Sequence, residues 1–94
     1  MKYFAVFLPM KDKEKSAEHR PAHLEFLEKM KEEKKVLMNG KFSDGSGGLV
    51  IYRASDEDEA ISYLKQDPFV ETGARDWEIH EWELETASDV QIGG

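Results

Sequence analysis

The sequence predicts an α+β fold in which four short strands form one antiparallel sheet and two helices pack on it, in the order β-α-β-β-α-β. Three observations predict it. Four segments are dense in aromatic and β-branched residues, two others place apolar residues at helical spacing, and Gly and Pro mark the joints between them. A chain of 94 residues holds one hydrophobic core, so residues 1–94 are read as a single domain with its core over about 2–84.

Residues 2–8 are apolar and strand-forming and stop at Pro9, which cannot donate to a ladder, so they open the sheet. Residues 10–17 are polar and charged and are expected to form a connection with an exposed tip. Over residues 20–35 the period becomes helical. At about 100° per residue His23, Phe26, Leu27 and Met30 share one arc, with Leu24 at its edge and Glu25, Glu28, Lys29 and Glu32 opposite. Pro21 suits the first turn of that helix, where its missing N–H removes no bond.

Residues 36–42 make a second, weaker strand, and a Gly-rich turn over 43–48 leads into a third strand at 49–53. Gly45, Gly47 and Gly48 lack the Lys and Ser/Thr that complete a phosphate loop, so the turn reading holds there. Ser55 is expected to cap the second helix, with Glu57 and Glu59 near the positive end of its dipole and Ala60, Ile61 and Leu64 as its apolar stripe. Pro68 disfavours the α conformation at Asp67, so the helix ends near that residue. Residues 77–84 form the last strand, and a polar tail follows to Gly94. The order is that of the split βαβ, ferredoxin-like arrangement, with the first and third strands central.

The central strands do not alternate apolar with polar. Tyr3, Ala5 and Phe7 have one parity and Phe4, Val6 and Leu8 the other, while Leu49 and Ile51 oppose Val50 and Tyr52. Two helices cover one face of such a sheet, so the second apolar face calls for another copy of the chain, and a homodimer built sheet to sheet is expected.

Charge excludes several partners. With 20 acidic against 13 basic residues the net charge is -7, which repels nucleic acid and anionic membranes. The Lys-rich stretches at 11–15 and 29–35 are interleaved with Asp and Glu and read as solvated faces. There is no cysteine, hence no disulfide, thiolate metal site or Cys nucleophile, and a reducing compartment suits the chain. Residues 4–9 are too short an apolar run for a signal peptide or membrane span, so a cytoplasmic location is expected.

Two residues stand out for chemistry. His23 sits in the helix's apolar arc, where burial and the helix N-terminus disfavour imidazolium, and a neutral ring is either a hydrogen-bonded core residue or a proton acceptor. Asp67, at the end of the second helix, either caps a short helical turn begun by Pro68 and containing Glu71, or orients His23 as a carboxylate does beside a catalytic base. Arg20 is the cation beside His23, and its planar fork suits a carboxylate or carbonyl of a ligand as well as a nearby Glu. His19 and His23 have a metal-ligand spacing, but Pro21 puts His19 at the helix start and no His-Glu-x-x-His follows, so no metal is assigned. His80, on the strand face of Trp82, could line a pocket or pack at a sheet interface. There is no Ser nucleophile elbow or dinucleotide fingerprint, and no cofactor is implied.

Taken together, Arg20-Pro21-Ala22-His23-Leu24, Val36-Leu37-Met38-Asn39-Gly40, Glu59-Ala60 and Asp67-Pro68-Phe69-Val70 with Gly73 resemble the YciI-like (YCII-related) family, from near residue 2 to about residue 84. The resemblance implies a dimeric α+β barrel and an active-site His–Asp pair, here His23 and Asp67, with Arg20 at the pocket edge binding substrate. The wider fold group includes isomerases, small monooxygenases and elimination enzymes. The expected function is therefore a cofactor-independent lyase or isomerase moving a proton on a small organic substrate. The alternative is a non-catalytic module that binds a small ligand in the same cleft. Family members often have Gly-Pro where this chain has Gly40 followed by Lys41-Phe42, a difference that bears on ligand preference if the loop lines the pocket.

Overall fold

The structure, a computed structural model, describes residues 1–90. The chain runs β1 (Lys2–Pro9), α1 (Lys13–Glu32), β2 (Val36–Lys41), β3 (Gly47–Ala54), α2 (Glu57–Leu64), α3 (Pro68–Glu71) and β4 (Glu78–Trp82). The four strands are antiparallel in the order β2-β3-β1-β4, which leaves β1 and β3 central as the split βαβ order requires.

Phe4, Val6 and Leu8 of β1 and Val50, Tyr52 and Ala54 of β3 form one apolar face, closed by Leu27 and Met30 of α1 and Ala60 and Leu64 of α2. The other face is apolar too, as the strand pattern predicts. Ala5 stands opposite Ile51, Ile51 opposite Met38, and Tyr3 opposite Trp82. Met38 and Trp82 are 47% and 41% exposed there. Close approach of β3 to β1 makes Gly47 obligatory, since its φ is 148° and a Cβ would collide with the Leu8 carbonyl.

Helix α1 begins at Lys13, well before the Arg20 start that apolar spacing predicts, so residues 13–17 are helix and not connection. Asp12 supplies the reason. Its extended backbone and a side chain accepting the Lys15 amide at 3.0 Å make an N-cap, and the Lys, Glu and Ala that follow have high intrinsic helix propensity without any apolar stripe. The start is also tied down: the Ala74 carbonyl accepts the Asp12 amide at 3.0 Å, and Ser16, buried, reaches the same carbonyl. Pro21 consequently lies inside the helix. Ala17 and Pro21 are both exposed, so solvent can satisfy the carbonyl that the ring leaves without a donor. The helix closes with Lys34 at φ 64° and its neighbour Lys35 donating to the Met30 carbonyl at 2.9 Å, so it stops short of residue 35.

The cap of α2 is Asp56 and not Ser55. Asp56 accepts the Glu59 amide at 2.8 Å, while the Glu59 carboxylate accepts the Ser55 amide at 3.0 Å, a reciprocal pair displaced by one residue from the expected box. The helix ends at Leu64, and Asp67 then caps α3. One further irregularity matters for the site. A register shift between Val36 and Met38 inserts Leu37 as a bulge, so that Asn39 stands opposite Val50. Without the extra residue Asn39 would point to the far face, because a one-residue slip inverts a strand's parity.

Candidate functional site

His23 lies well inside α1, away from its positive end, so the dipole argument for its chemistry does not apply. Its partner is a carboxylate. Nδ1 of His23 is 2.7 Å from Oδ1 of Asp67, with His23 8% exposed and Asp67 completely buried. An ionised carboxylate only accepts, so Nδ1 carries the hydrogen in this contact and Nε2 is left as the ring's other functional atom.

Asp67 is held in place by local sequence. It precedes Pro68 at the first position of α3, has extended backbone, and its Oδ1 also accepts the Phe69 amide at 2.9 Å. It lies past the end of α2 and is the cap of the next helix. Capping and contact with His23 are thus made by the same oxygen. Asp67 Oδ2 and the Tyr52 hydroxyl have no hydrogen-bond partner among the described residues, and burial first, then the charge of Asp67, push the Tyr52 phenol far above its usual range.

The ring of Phe69 fixes the plane of the imidazole. The two rings stack at 3.8 Å between centroids and 14° between planes, and the Arg75 guanidinium carbon is 4.4 Å from the same Phe69 centroid. Because His23 occupies one face so closely, the guanidinium takes the other. Arg75 is 6% exposed, donating from Nε to Ser16 Oγ at 3.1 Å and from Nη1 to the Leu8 carbonyl at 3.3 Å.

His23, Phe69 and Arg75 line a cleft of about 120 Å³. Arg20 stands exposed in its wall, and Asn39, Lys41 and Leu49 contribute the sheet side. The structure therefore brings His23, Asp67 and Arg20 into one neighbourhood. His19 faces Glu18 at 3.8 Å, and His80 lies on the far face of the sheet beside Glu78 at 3.2 Å, outside the cleft. No group of three or more His, Asp or Glu among the described residues is placed to hold a metal ion.

Arg75 and Phe69 were not legible as site residues. Arg75 lies two residues after Gly73, whose φ is 76°, in a segment without period, and its backbone amide bonds to the Phe69 carbonyl at 3.0 Å, so its place depends on how that loop folds back. Asn39 reaches the cleft only through the bulge in β2. Lys41 was marked by its departure from Gly-Pro, and it does line the cleft.

A family model described as YCII-related domain matches residues 1–83. The uncharacterized protein YjpA of Bacillus subtilis (strain 168) is 35% identical over 82 residues, covering 87% of this chain and 96% of that protein. Among solved structures, the 5-chloro-2-hydroxyhydroquinone dehydrochlorinase TftG of Burkholderia phenoliruptrix AC1100, in complex with 2,5-dihydroxybenzoquinone, has a TM-score of 0.73. It is 22% identical, with 86% of this chain and 93% of that chain covered, a likeness of fold.

Proposed function

Since the chain belongs to the YCII-related domain family, we propose that it is an enzyme of lyase or isomerase type in which His23 transfers a proton on a small organic substrate. The observation that carries this is the 2.7 Å contact between His23 Nδ1 and a buried Asp67 at the wall of a cleft. Asp67 fixes the tautomer, Nε2 faces the substrate, and the carboxylate supports the positive charge that the ring acquires. Nε2 takes a proton from a carbon beside a carbonyl, and the C–H electron pair moves into the carbonyl to give an enolate. Collapse of the enolate re-forms the carbonyl and either expels a leaving group, with its electron pair, from the next carbon or, where a further double bond is conjugated with the enolate, takes the proton back from Nε2 at the far carbon.

Dehydrochlorination, the reaction for which TftG is named, removes a proton and a chloride and belongs to the same class of step. No cofactor has a part in this scheme. We further propose that the protein works in the cytoplasm as a homodimer with the open sheet faces apposed, forming a dimeric α+β barrel. The apolar residues of that face, Phe7, Leu49 and Ile51 with Met38 and Trp82, support the dimer.

A second reading is a binding module, favoured by the capping bond of Asp67, which explains that residue without catalysis. Replacement of His23 by Asn separates the two. Turnover should fall by about 10²- to 10⁴-fold if the ring is the base. A loss of about 1 to 3 kcal/mol of stability with turnover retained would instead make the pair a buried structural bond.

A further inference from the structure

The chain carries 20 acidic and 13 basic residues, yet among the described residues its cleft is lined by Arg20, His23, Lys41 and Arg75 and by no Asp or Glu. Among the described residues none of Arg20, Lys41 and Arg75 is in an ion pair. In a protein with an excess of carboxylates, three cations that converge on one cavity without a carboxylate partner mark a place where negative charge is supplied from outside.

Arg75 is the informative member. A buried guanidinium is costly unless its charge and its donors are met. Here Nε and Nη1 meet neutral oxygens of Ser16 and Leu8, and Nη2 has no hydrogen-bond partner among the described residues. Burial first, and then the charge of Arg20, disfavour the cation; the charge of Asp67 favours it. Among the described residues Asp67 is not its ion-pair partner, however: the ion pair of Asp67 is with His23. Arg75 as a mere tie between α1 and β1 would account for two donors and leave Arg20 and Lys41 unexplained beside it.

We propose that the cleft takes a small organic carboxylate, its oxygens held by the free edge of Arg75 with Arg20, and Lys41 adding positive charge at the mouth. This rests on the proton-transfer reading for the role of the same cleft. The carboxylate end would anchor the ligand while the rest of it lies beside His23. The cleft, at about 120 Å³, is close to the roughly 150 Å³ cavity that accepts a benzene ring, so the ligand is ring-sized.

The test is a calorimetric titration of the full chain with benzoate and with its neutral isostere benzamide, repeated on Arg75→Met, Arg20→Met and His23→Asn. Benzoate should bind saturably and benzamide at least about tenfold more weakly, with added salt weakening benzoate. Arg20→Met, at an exposed residue without an ion pair among the described residues, keeps the test valid if Arg75→Met fails to fold, and should weaken benzoate by about tenfold at unchanged Tm. His23→Asn is read by turnover, which should fall, and by the preference for benzoate over benzamide, which should persist because charge recognition lies with the two guanidiniums. Equal binding of benzamide and benzoate, no saturable binding of benzoate, or an unaltered affinity in Arg20→Met would each overturn the proposal. If His23→Asn retained full turnover while the benzoate results held, the proton-transfer reading would fall and the carboxylate site would stand.

Discussion

His23 and Asp67 meet through a single carboxylate oxygen, Oδ1, which lies 2.7 Å from the imidazole Nδ1 and 2.9 Å from the Phe69 amide. Asp67 therefore links two tasks, closing the first turn of α3 and holding the ring of a residue on α1, and substitutions at this position can separate them.

Asparagine caps a helix about as well as aspartate but carries no charge. Asp67→Asn should keep Tm near that of the parent while lowering turnover by about 10²- to 10⁴-fold, through loss of the carboxylate that orients and supports the ring. Asp67→Ala removes the cap as well and should cost about 0.5 to 2 kcal/mol in urea unfolding. Equal turnover in the parent and Asp67→Asn would leave Asp67 with the capping task alone.

Tyr52 yields a prediction in pH. Its phenol is raised by burial and by Asp67, so the folded state favours the protonated form. The stability this contributes is complete below the unfolded phenol value, near 10, and is lost as pH rises beyond it. Tyr52→Phe should resist alkaline unfolding better than the parent. At neutral pH it should be neutral or more stable by about 1 kcal/mol, because it deletes a buried hydroxyl that has no partner among the described residues. Alkaline denaturation followed by circular dichroism checks both.

The start of α1 rests on Asp12. Asp12→Ala should cost about 0.5 to 2 kcal/mol and raise amide hydrogen exchange across residues 13–17 before any other part of the helix. Unchanged exchange there would mean that the ties to Ala74 alone hold the start.

Trp82 probes the open sheet face. Trp82→Glu places charge where a second copy is proposed to lie, and sedimentation equilibrium should show the parent as a dimer and the variant shifted to monomer with its helix-covered core intact. A monomeric parent at micromolar concentration would remove the dimer from the account.

The fold was readable because strand and helix periods are strong local signals: Phe4, Val6 and Leu8 alternate, and Leu27 and Met30 keep helical spacing up to the core. His23 and Asp67 were readable because a histidine in an apolar arc and an Asp-Pro at a helix boundary are both local anomalies. What escaped was set by tertiary contact or by a cap. Residues 13–17 carry no apolar stripe, so only Asp12 announces their helix. Asn39 depends on a bulge, and Arg75 depends on a loop that folds back against α3 and the start of α1. None of these leaves a period in the sequence.

Proton transfer by His23 is tested most directly in deuterium oxide, by following with proton NMR the exchange of C–H groups next to the carbonyl in a panel of small keto and cyclic carboxylates. The parent should catalyse exchange in the member that fits the cleft, and His23→Asn should be slower by about 10²-fold or more while remaining folded and still preferring benzoate to benzamide. Equal exchange rates in the two proteins would contradict the assignment of His23 as the base.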